Sequence, residues 1–478
     1  MASQLAPTPS ETTESLVSCQ NSQGVELRAT LLKLSRFQVA FEVYSPPGTL
    51  QTSEVLSDFR IMIQGQPVYS GRAVVSNLIN VGTVLVCEAT LDEACLDLNW
   101  ACPLHDRAKL RAGFEKFMDE WGRSFKVHPE FKLVIADMQS FLADLRLWLE
   151  QLELQIRAAP SGDRLEMERS TVREVAEAVI PMFDALHERM EDLSGKIEPE
   201  LRPAHGNFMK RLIHPLMLCS PFGYRTYQKP LGYAGDYEMV NMIVRDPIEG
   251  SSLFAKVVNC WFLRQWPARA HRHRIGYLKE RLKEESLRGA TRGRPIRVLN
   301  LGCGPAREIQ EFLAEEALSD HAQFTLLDFN QETIEHATEA LEAAKKRYGR
   351  QTSIQIQKKS VQQVLKDGAK GWTDVPEKKY DLVYCAGLFD YLPDRTCRQL
   401  MNIFYDWLAP GGLVAATNVD DCKPFRHMLE FVLDWHLIYR NTQKGAALLP
   451  DRAPADSRIT KRDPTTVNLF LEARKPNA

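Results

Sequence analysis

Nowhere does this chain run apolar for the roughly 18 residues that a membrane span requires, so no spanning segment is expected. An excess of one charge is missing too. The 60 Lys and Arg nearly cancel the 62 Asp and Glu, and a net charge of −2 gives no global field to draw in nucleic acid or an anionic membrane. The 10 cysteines never form Cys-x-x-Cys. Cys95 and Cys102 are the closest pair, and no histidine cluster stands near them at zinc spacing, so the cysteines read as reduced, buried thiols. The 11 histidines contain no His-Glu-x-x-His, and no metal is expected. Met1 to Glu14 is polar, without the basic-then-apolar pattern of a secretory signal, which points to the cytoplasm. What remains is a globular composition of 478 residues, long enough for about three domains.

The most informative stretch runs from Ile296 to Ala306. Its first half, Ile296 to Leu301, is a short apolar run suited to a parallel strand buried on both faces. Its second half is a turn in which Gly302 and Gly304, with Cys303 between them, let a ligand lie against bare backbone. Arg307 to Leu318 then reads as a helix. Strand, glycine turn and helix make a Rossmann-type nucleotide site. A second strand, Gln323 to Asp328, ends in an acid about 24 residues past the glycines, where a carboxylate grips ribose hydroxyls.

The third glycine of a dinucleotide fingerprint is missing, since Arg307 stands there. A nicotinamide or flavin dinucleotide needs close backbone approach for its pyrophosphate; S-adenosylmethionine has none. The stretch resembles motif I of the class I S-adenosylmethionine-dependent methyltransferases. Tyr380 to Ala386 resembles their fourth strand, and Leu408 to Val414 their turn into the fifth. The resemblance implies an α/β Rossmann-like domain over 291–478 with S-adenosyl-L-methionine as cofactor. Asp328 and Phe329 would lie at the ribose, Ser360 and Val361 near adenine, and Ala386 and Gly387 at the edge of strand four. Val467 to Ala473 would be the closing antiparallel strand.

Upstream, residues 1–15 carry Ser, Thr and Pro and read as a disordered tail. Between 16 and 100, about six short runs rich in β-branched and aromatic residues, including Val25 to Leu34 and Phe37 to Tyr44, predict a small antiparallel barrel. Pro46-Pro47-Gly48 marks a turn. Leu34 to Phe41 resembles a PilZ domain, a family that in many bacterial proteins binds cyclic di-GMP. The family pattern wants an Asp or Asn where Lys33 stands and a Gly where Gln38 stands, and its paired arginines reduce to Arg28. We therefore expect a structural or docking barrel. Residues 104–200 read as helical, over Arg107–Phe125, Glu130–Ile156 and Leu165–Met190. The stripe Phe141, Leu145, Trp148, Leu149 and Leu152 is expected to pack, bracing the barrel against the catalytic domain or forming a homodimer contact.

Residues 201–290 form a lid and substrate-side segment. Ser220 to Met239 reads as a loop that spends four tyrosines, an arginine, a lysine and an acid, more than a connection requires. Asp236 is placed to cap a helix from Tyr237 to Val244. Arg264 to Leu282 reads as one basic helix whose Arg269, His271, Arg272, His273 and Arg274 form a solvated face. The string Lys229 to Met239, the basic helix, motif I and Ala386 to Leu392 together resemble the bacterial family of 3-hydroxypalmitic acid methyl ester biosynthesis. Membership implies methyl transfer to a fatty carboxylate, a small-molecule substrate. Arg225, Tyr233, Asp390 and Tyr391 are the candidate catalytic residues, and Tyr227, Phe389 and Tyr391 the candidate substrate contacts. A carboxylate acceptor is already ionised at neutral pH and needs no base; an alcohol would. Two alternatives stand beside this reading: transfer or cyclisation of the aminocarboxypropyl arm, and a non-catalytic cofactor-sensing scaffold.

Overall fold

The computed structural model describes residues 15–35, 37–44, 50–63, 66–80, 84–92, seven positions between 111 and 122, 127–369, 379–421 and 425–477. The tail 1–14, the Pro46-Pro47-Gly48 turn, Cys95, Cys102 and most of the helix read over Arg107–Phe125 lie outside these residues. The chain divides into two compact units, Met1–Lys126 and Val127–Ala478.

The first unit is a closed barrel of six antiparallel strands, β1 (Ser15–Gln20), β2 (Glu26–Leu34), β3 (Gln38–Tyr44), β4 (Val55–Ile63), β5 (Gln66–Asn80) and β6 (Val84–Leu91), in the order β1-β2-β3-β6-β5-β4. Alternation sets the register: in β3, Val39, Phe41 and Val43 turn inward and the residues between them stay partly open. Phe41, Phe59 and Tyr69 meet at the centre with ring centroids 5.6 and 6.2 Å apart. Closure leaves no unpaired strand edge.

The second unit begins with helices α1 (Pro129–Ala158), α2 (Arg164–Ser194), α3 (Arg202–Met217), α4 (Pro221–Gln228), α5 (Tyr237–Val244), α6 (Leu253–Arg264) and α7 (Trp266–Thr291). Strands and helices then alternate: β7 (Ile296–Leu301), α8 (Arg307–Glu315), β8 (Ala322–Asp328), α9 (Gln331–Tyr348), β9 (Ser353–Lys358), α10 (Val361–Ala369), β10 (Tyr380–Cys385), α11 (Asp394–Trp407) and β11 (Leu408–Val419). Two short helices, α12 (Arg426–Val432) and α13 (Thr442–Ala446), precede β12 (Arg458–Arg462) and β13 (Asn468–Arg474). The seven-stranded sheet has the order β12-β13-β11-β10-β7-β8-β9. Strands β7 to β11 pair in parallel; β13 is antiparallel to β11, as expected of the closing strand, and β12 adds a polar edge that the sequence did not announce.

Several expectations are corrected. The loop read from Ser220 begins as helix α4, because the Ser220 hydroxyl caps the amide of Gly223 and Pro221 is preset for a first turn. The basic helix read from Arg264 to Leu282 is one helix with shifted ends: α6 stops at Arg264, and α7 starts at Trp266, with Pro267 in its first turn, and runs on to Thr291. The helix read from Phe425 to Ile438 ends at Val432, where Asp434 adopts φ 47° and turns the chain. Trp148 is not packed with its stripe but half exposed, while Leu145 and Leu149 are buried. The basic face of α7 is solvated only in part: Arg269 is exposed, while His271, Arg272, His273 and Arg274 are half-buried. Arg272 donates to the Leu263 carbonyl, Arg269 lies 4.6 Å over the Trp266 ring, and burial pushes the His271 imidazole down to about 3.

Glu191, near the end of α2, fastens α12 to the helical layer. Its carboxylate accepts from the backbone amides of His427 and Met428 at 3.0 and 2.8 Å and from the His427 ring at 2.8 Å, with His187 Nε2 at 3.4 Å. Burial alone would push this carboxyl up. The hydrogen bonds and charge of the two histidines outweigh burial and hold it down, at about 2 against an ordinary 4.5. A depressed carboxyl stabilises the fold above its unfolded value and loses that contribution as pH falls towards its folded value. Glu191→Gln should therefore cost about 3 kcal/mol at neutral pH. The gap to wild type should close between pH 4.5 and about 2, followed by denaturant titration. A gap that does not change with pH would remove the ionic account.

Candidate active site

In the sheet order β10-β7-β8, chain progression reverses between β7 and β10. In open parallel sheets the crevice at such a switch point, beyond the carboxyl ends of the strands, takes the ligand. The residues gathered there come from the turn after β7, the ends of β8 and β9, the segment after β10, and the turn between α4 and α5.

The glycine turn is pinned to the neighbouring strand. The amides of Gly302 and Cys303 both donate to the Leu327 carbonyl, at 2.8 and 3.2 Å. Gly302 and Gly304 adopt φ 72° and 52°, conformations that side chains resist, and a Cβ on Gly304 would meet nothing within 4 Å. The turn thus presents open backbone. Asp328 ends β8 beside it and is buried. One carboxylate oxygen accepts from the Gly304 amide at 3.2 Å, the other from Asn330 at 3.1 Å. Burial pushes its carboxyl up and these amides pull it back. Each oxygen keeps a second acceptor direction, which suits two vicinal hydroxyls of a ribose. Lys359 donates its amide to the Asp328 carbonyl at 2.8 Å, so Ser360 and Val361, which open α10, lie at the same edge.

After β10 the chain makes a sharp turn. Gly387, at φ 82°, donates its amide to Thr417 Oγ1 at 2.9 Å. Phe389, Asp390 and Tyr391 form one short 3-10 turn, all buried. Asp390 accepts from the Val419 amide at 2.6 Å, and its carbonyl accepts from Ile438 at 2.7 Å. Tyr391 Oη accepts from Trp435 Nε1 at 2.9 Å. Arg440, only 1% exposed, clamps the whole turn: it donates to the carbonyls of Phe389 and Leu392 at 2.8 and 2.7 Å, to Asp394, and to Asn418.

The turn from Lys229 to Asp236 bridges the two strand ends. The Tyr233 ring lies 5.0 Å from Phe329, and its hydroxyl is 3.3 Å from Thr333 Oγ1. A Cβ on Gly235 would stand 3.1 Å from Tyr391 Oη. Asp236 caps α5 as expected, accepting the Met239 amide at 2.9 Å. Tyr237 donates to Glu332 at 2.8 Å and stacks on His336.

The structure therefore gathers Gly302, Cys303, Gly304, Asp328, Phe329 and Tyr233 around the glycine turn, with Ala386, Gly387, Phe389, Asp390 and Tyr391 across the crevice. Two candidates are engaged elsewhere. Arg225 forms a two-pronged pair with Asp236, at 3.0 and 2.9 Å, and so braces the turn. Tyr227 meets His214 edge-on at 4.6 Å in the helical layer. The sequence reading missed Arg274, Trp435 and Arg440. Among the described residues no group of three or more His, Cys, Asp or Glu is placed to hold a metal, and no helix is long and apolar enough to cross a membrane.

Residues 299–414 match the family model of a methyltransferase domain. No curated protein matches the chain. Among solved structures it is similar to a possible exported protein of Bordetella parapertussis, with 19% identity over 63% of this chain and 97% of that one, at a TM-score of 0.41. It is similar to the N-methyltransferase NodS of Bradyrhizobium japonicum with S-adenosyl-L-homocysteine, with 17% identity over 53% and 100% of the chains, TM-score 0.30. The S-adenosylmethionine-dependent methyltransferase SibL shares 18% identity over 72% and 97%, TM-score 0.35. At these scores the structural likenesses carry no weight of their own. The domain match falls on the strands that build the crevice, and the open glycine turn beside a buried ribose acid fits the group such domains use. The second unit carries a stretch that matches a methyltransferase domain, and its open glycine turn and buried acid fit S-adenosyl-L-methionine.

Asp328→Ala should remove charged hydrogen bonds worth about 1.5–3 kcal/mol and weaken the cofactor by about ten- to a hundredfold. Gly304→Val should be worse, because valine resists φ 52° and fills the open space before the turn. Calorimetry with S-adenosyl-L-homocysteine on folded variants measures both; undiminished affinity in Asp328→Ala would displace the ribose from this acid.

Proposed function

We propose that this chain is a cytoplasmic enzyme that methylates the carboxylate oxygen of a small molecule, a hydroxy fatty acid being the acceptor class its family resemblance favours. The observation that carries the reading is the protonation chemistry of the crevice. Burial pushes the phenols of Tyr233 and Tyr391 and the thiol of Cys303 well up, so none of them is an anion at neutral pH. Asp390 is held by the Val419 amide and lies in the field of Arg274 and Arg440. An acceptor that arrives ionised needs no base from this set, whereas an alcohol does.

S-adenosylmethionine supplies an electrophilic methyl on its sulfonium. The protein's work is alignment and exclusion of water. Asp328 and the glycine turn hold the ribose end. Tyr391, fixed by Trp435 and by the Arg440 clamp, forms the wall that the acceptor meets. The turn from Lys229 to Asp236 acts as a lid, with Tyr233 against Phe329 and the Arg225–Asp236 pair as its brace. Tyr233→Phe removes one weak hydrogen bond and should lower turnover with little change in melting temperature. Arg225→Ala strips a buried carboxylate of its partner and should lower melting temperature first.

Incubation with methyl-labelled cofactor and 3-hydroxy fatty acids should give a label released as methanol by mild alkali, the behaviour of an ester. Label that survives alkali would reject carboxylate methylation. A product heavier by the aminocarboxypropyl arm would indicate the other use of the sulfonium. Without a base to titrate on the enzyme, kcat/KM should stay flat between about pH 6 and 8.

The barrel belongs to this reading as a PilZ-like docking module without nucleotide. Ser35 spends its hydroxyl on both backbone groups of Gln38, at 3.0 and 3.1 Å. Titration with cyclic di-GMP should show no saturable binding at micromolar concentration; saturation would make the barrel regulatory. Leu147, Trp148 and Leu154, exposed on α1, support the homodimer contact.

A further inference from the structure

Helix α7 delivers one cation to the crevice and leaves it without a counter-ion. Along the helix, Arg272 is bound to the Leu263 carbonyl, Arg281 pairs with Glu284 and Arg288 with Glu285. Arg274 differs: among the described residues it makes no ion pair and no hydrogen bond. Its guanidinium lies directly over Gly387, at the carboxyl edge of β10. A Cβ at 387 would stand 2.7 Å from Nη1, and φ 82° favours glycine there, so the guanidinium lies against bare backbone. Protein surrounds it, yet part of its surface stays open. Burial pulls its affinity for the proton down, and Asp390, Tyr391 and Glu308 act on it only from a distance. The two acids are committed elsewhere: Asp390 to the Val419 amide, Glu308 to Tyr384 Oη at 2.7 Å and Asn300 Nδ2 at 3.4 Å.

An arginine keeps its charge under such conditions, and five donors with no acceptor in a largely covered site call for an anion. The same two acids select its kind. Their field opposes a dianion such as phosphate but tolerates a single negative charge, and a planar pair of oxygens matches the guanidinium fork. We propose that Arg274 is the carboxylate anchor of this active site. Two carboxylates can reach it, the amino-acid end of the cofactor and the acceptor itself; the second rests on the carboxylate acceptor proposed above.

Arg274→Met and Arg274→Lys in the full chain separate the two sources. Each variant is titrated calorimetrically with S-adenosyl-L-homocysteine, which carries the carboxylate, and with 5′-methylthioadenosine, which lacks it. If the cofactor end is held, Arg274→Met weakens the first by about ten- to a hundredfold, leaves the second unchanged, and Arg274→Lys recovers part of the loss. If the acceptor is held, both nucleosides bind as in wild type, and 3-hydroxypalmitate titrated into the homocysteine-loaded enzyme loses affinity by a similar factor. Equal weakening of both nucleosides, or no change for any of the three ligands, overturns the anchor. A wild type that ignores 3-hydroxypalmitate refutes the acceptor class while the nucleoside pair still decides Arg274.

Discussion

The hydrogen bond from the Gly304 amide to Asp328 is the contact on which the catalytic unit depends. It ties the turn after β7 to the end of β8, and the Gly302 and Cys303 amides on the Leu327 carbonyl lock the same junction. With that junction fixed, the reversal of strand order between β7 and β10 leaves a crevice bounded on one side by an acid and bare backbone. A buried carboxylate is costly to hold unless it is hydrogen-bonded. Here two amides meet that cost and leave each oxygen a second acceptor direction, so the arrangement that stabilises the turn also suits it to a hydroxyl-bearing ligand.

Most of this junction was legible in the sequence because its signals are local. Apolar runs with β-branched residues, glycines at two-residue spacing and an acid at a strand end need no knowledge of tertiary neighbours. Helix α9 has the bounds read for it, and Asp236 caps α5 as its position before Tyr237 suggested. The barrel was readable for the same reason, since its strands alternate inward and outward. Legibility failed where a residue's partner is distant in the chain. Arg440 looks like any arginine beyond a helix, yet it binds carbonyls some fifty residues earlier. Arg274 sits in a basic cluster whose default is a wet surface, and the packing of α7 against the end of β10 covers most of it. Ser220-Pro221 was a readable helix start, overlooked because the glycines and tyrosines that follow suggested a loop.

The segment after β10 and the turn between α4 and α5 are coupled through few atoms. Gly235 leaves room for Tyr391, where a Cβ would stand 3.1 Å from its hydroxyl; Tyr391 is held by Trp435, and Trp435 lies three residues past α12, which Glu191 fastens to α2. This chain gives the helical layer a role beyond covering the sheet, since it sets the position of the wall facing the glycine turn. The turn itself rests on Arg225 and Asp236, and its outer side rests on α9 through Tyr237 and His336. In the lid proposed above, the short stretch between these two holds carries Gly232 and Gly235 at positive φ, where the backbone has the most freedom to turn.

The same network explains why Asp390 is a poor candidate for a base despite its place. A base must offer an oxygen to the acceptor's proton. Asp390 instead gives one oxygen to the Val419 amide, its own carbonyl to Ile438, and its turn to the Arg440 clamp, so moving it would break the joint between β11 and the 389–394 segment. Its charge still acts at a distance, on the guanidinium of Arg274 over Gly387. The crevice thus separates two functions that one acid could have combined. Asp390 maintains geometry and field, while Arg274 keeps donors free for an anion. That division is what an enzyme needs if its acceptor arrives already charged, because the work left for the protein is to orient two oxygens and keep water away from them.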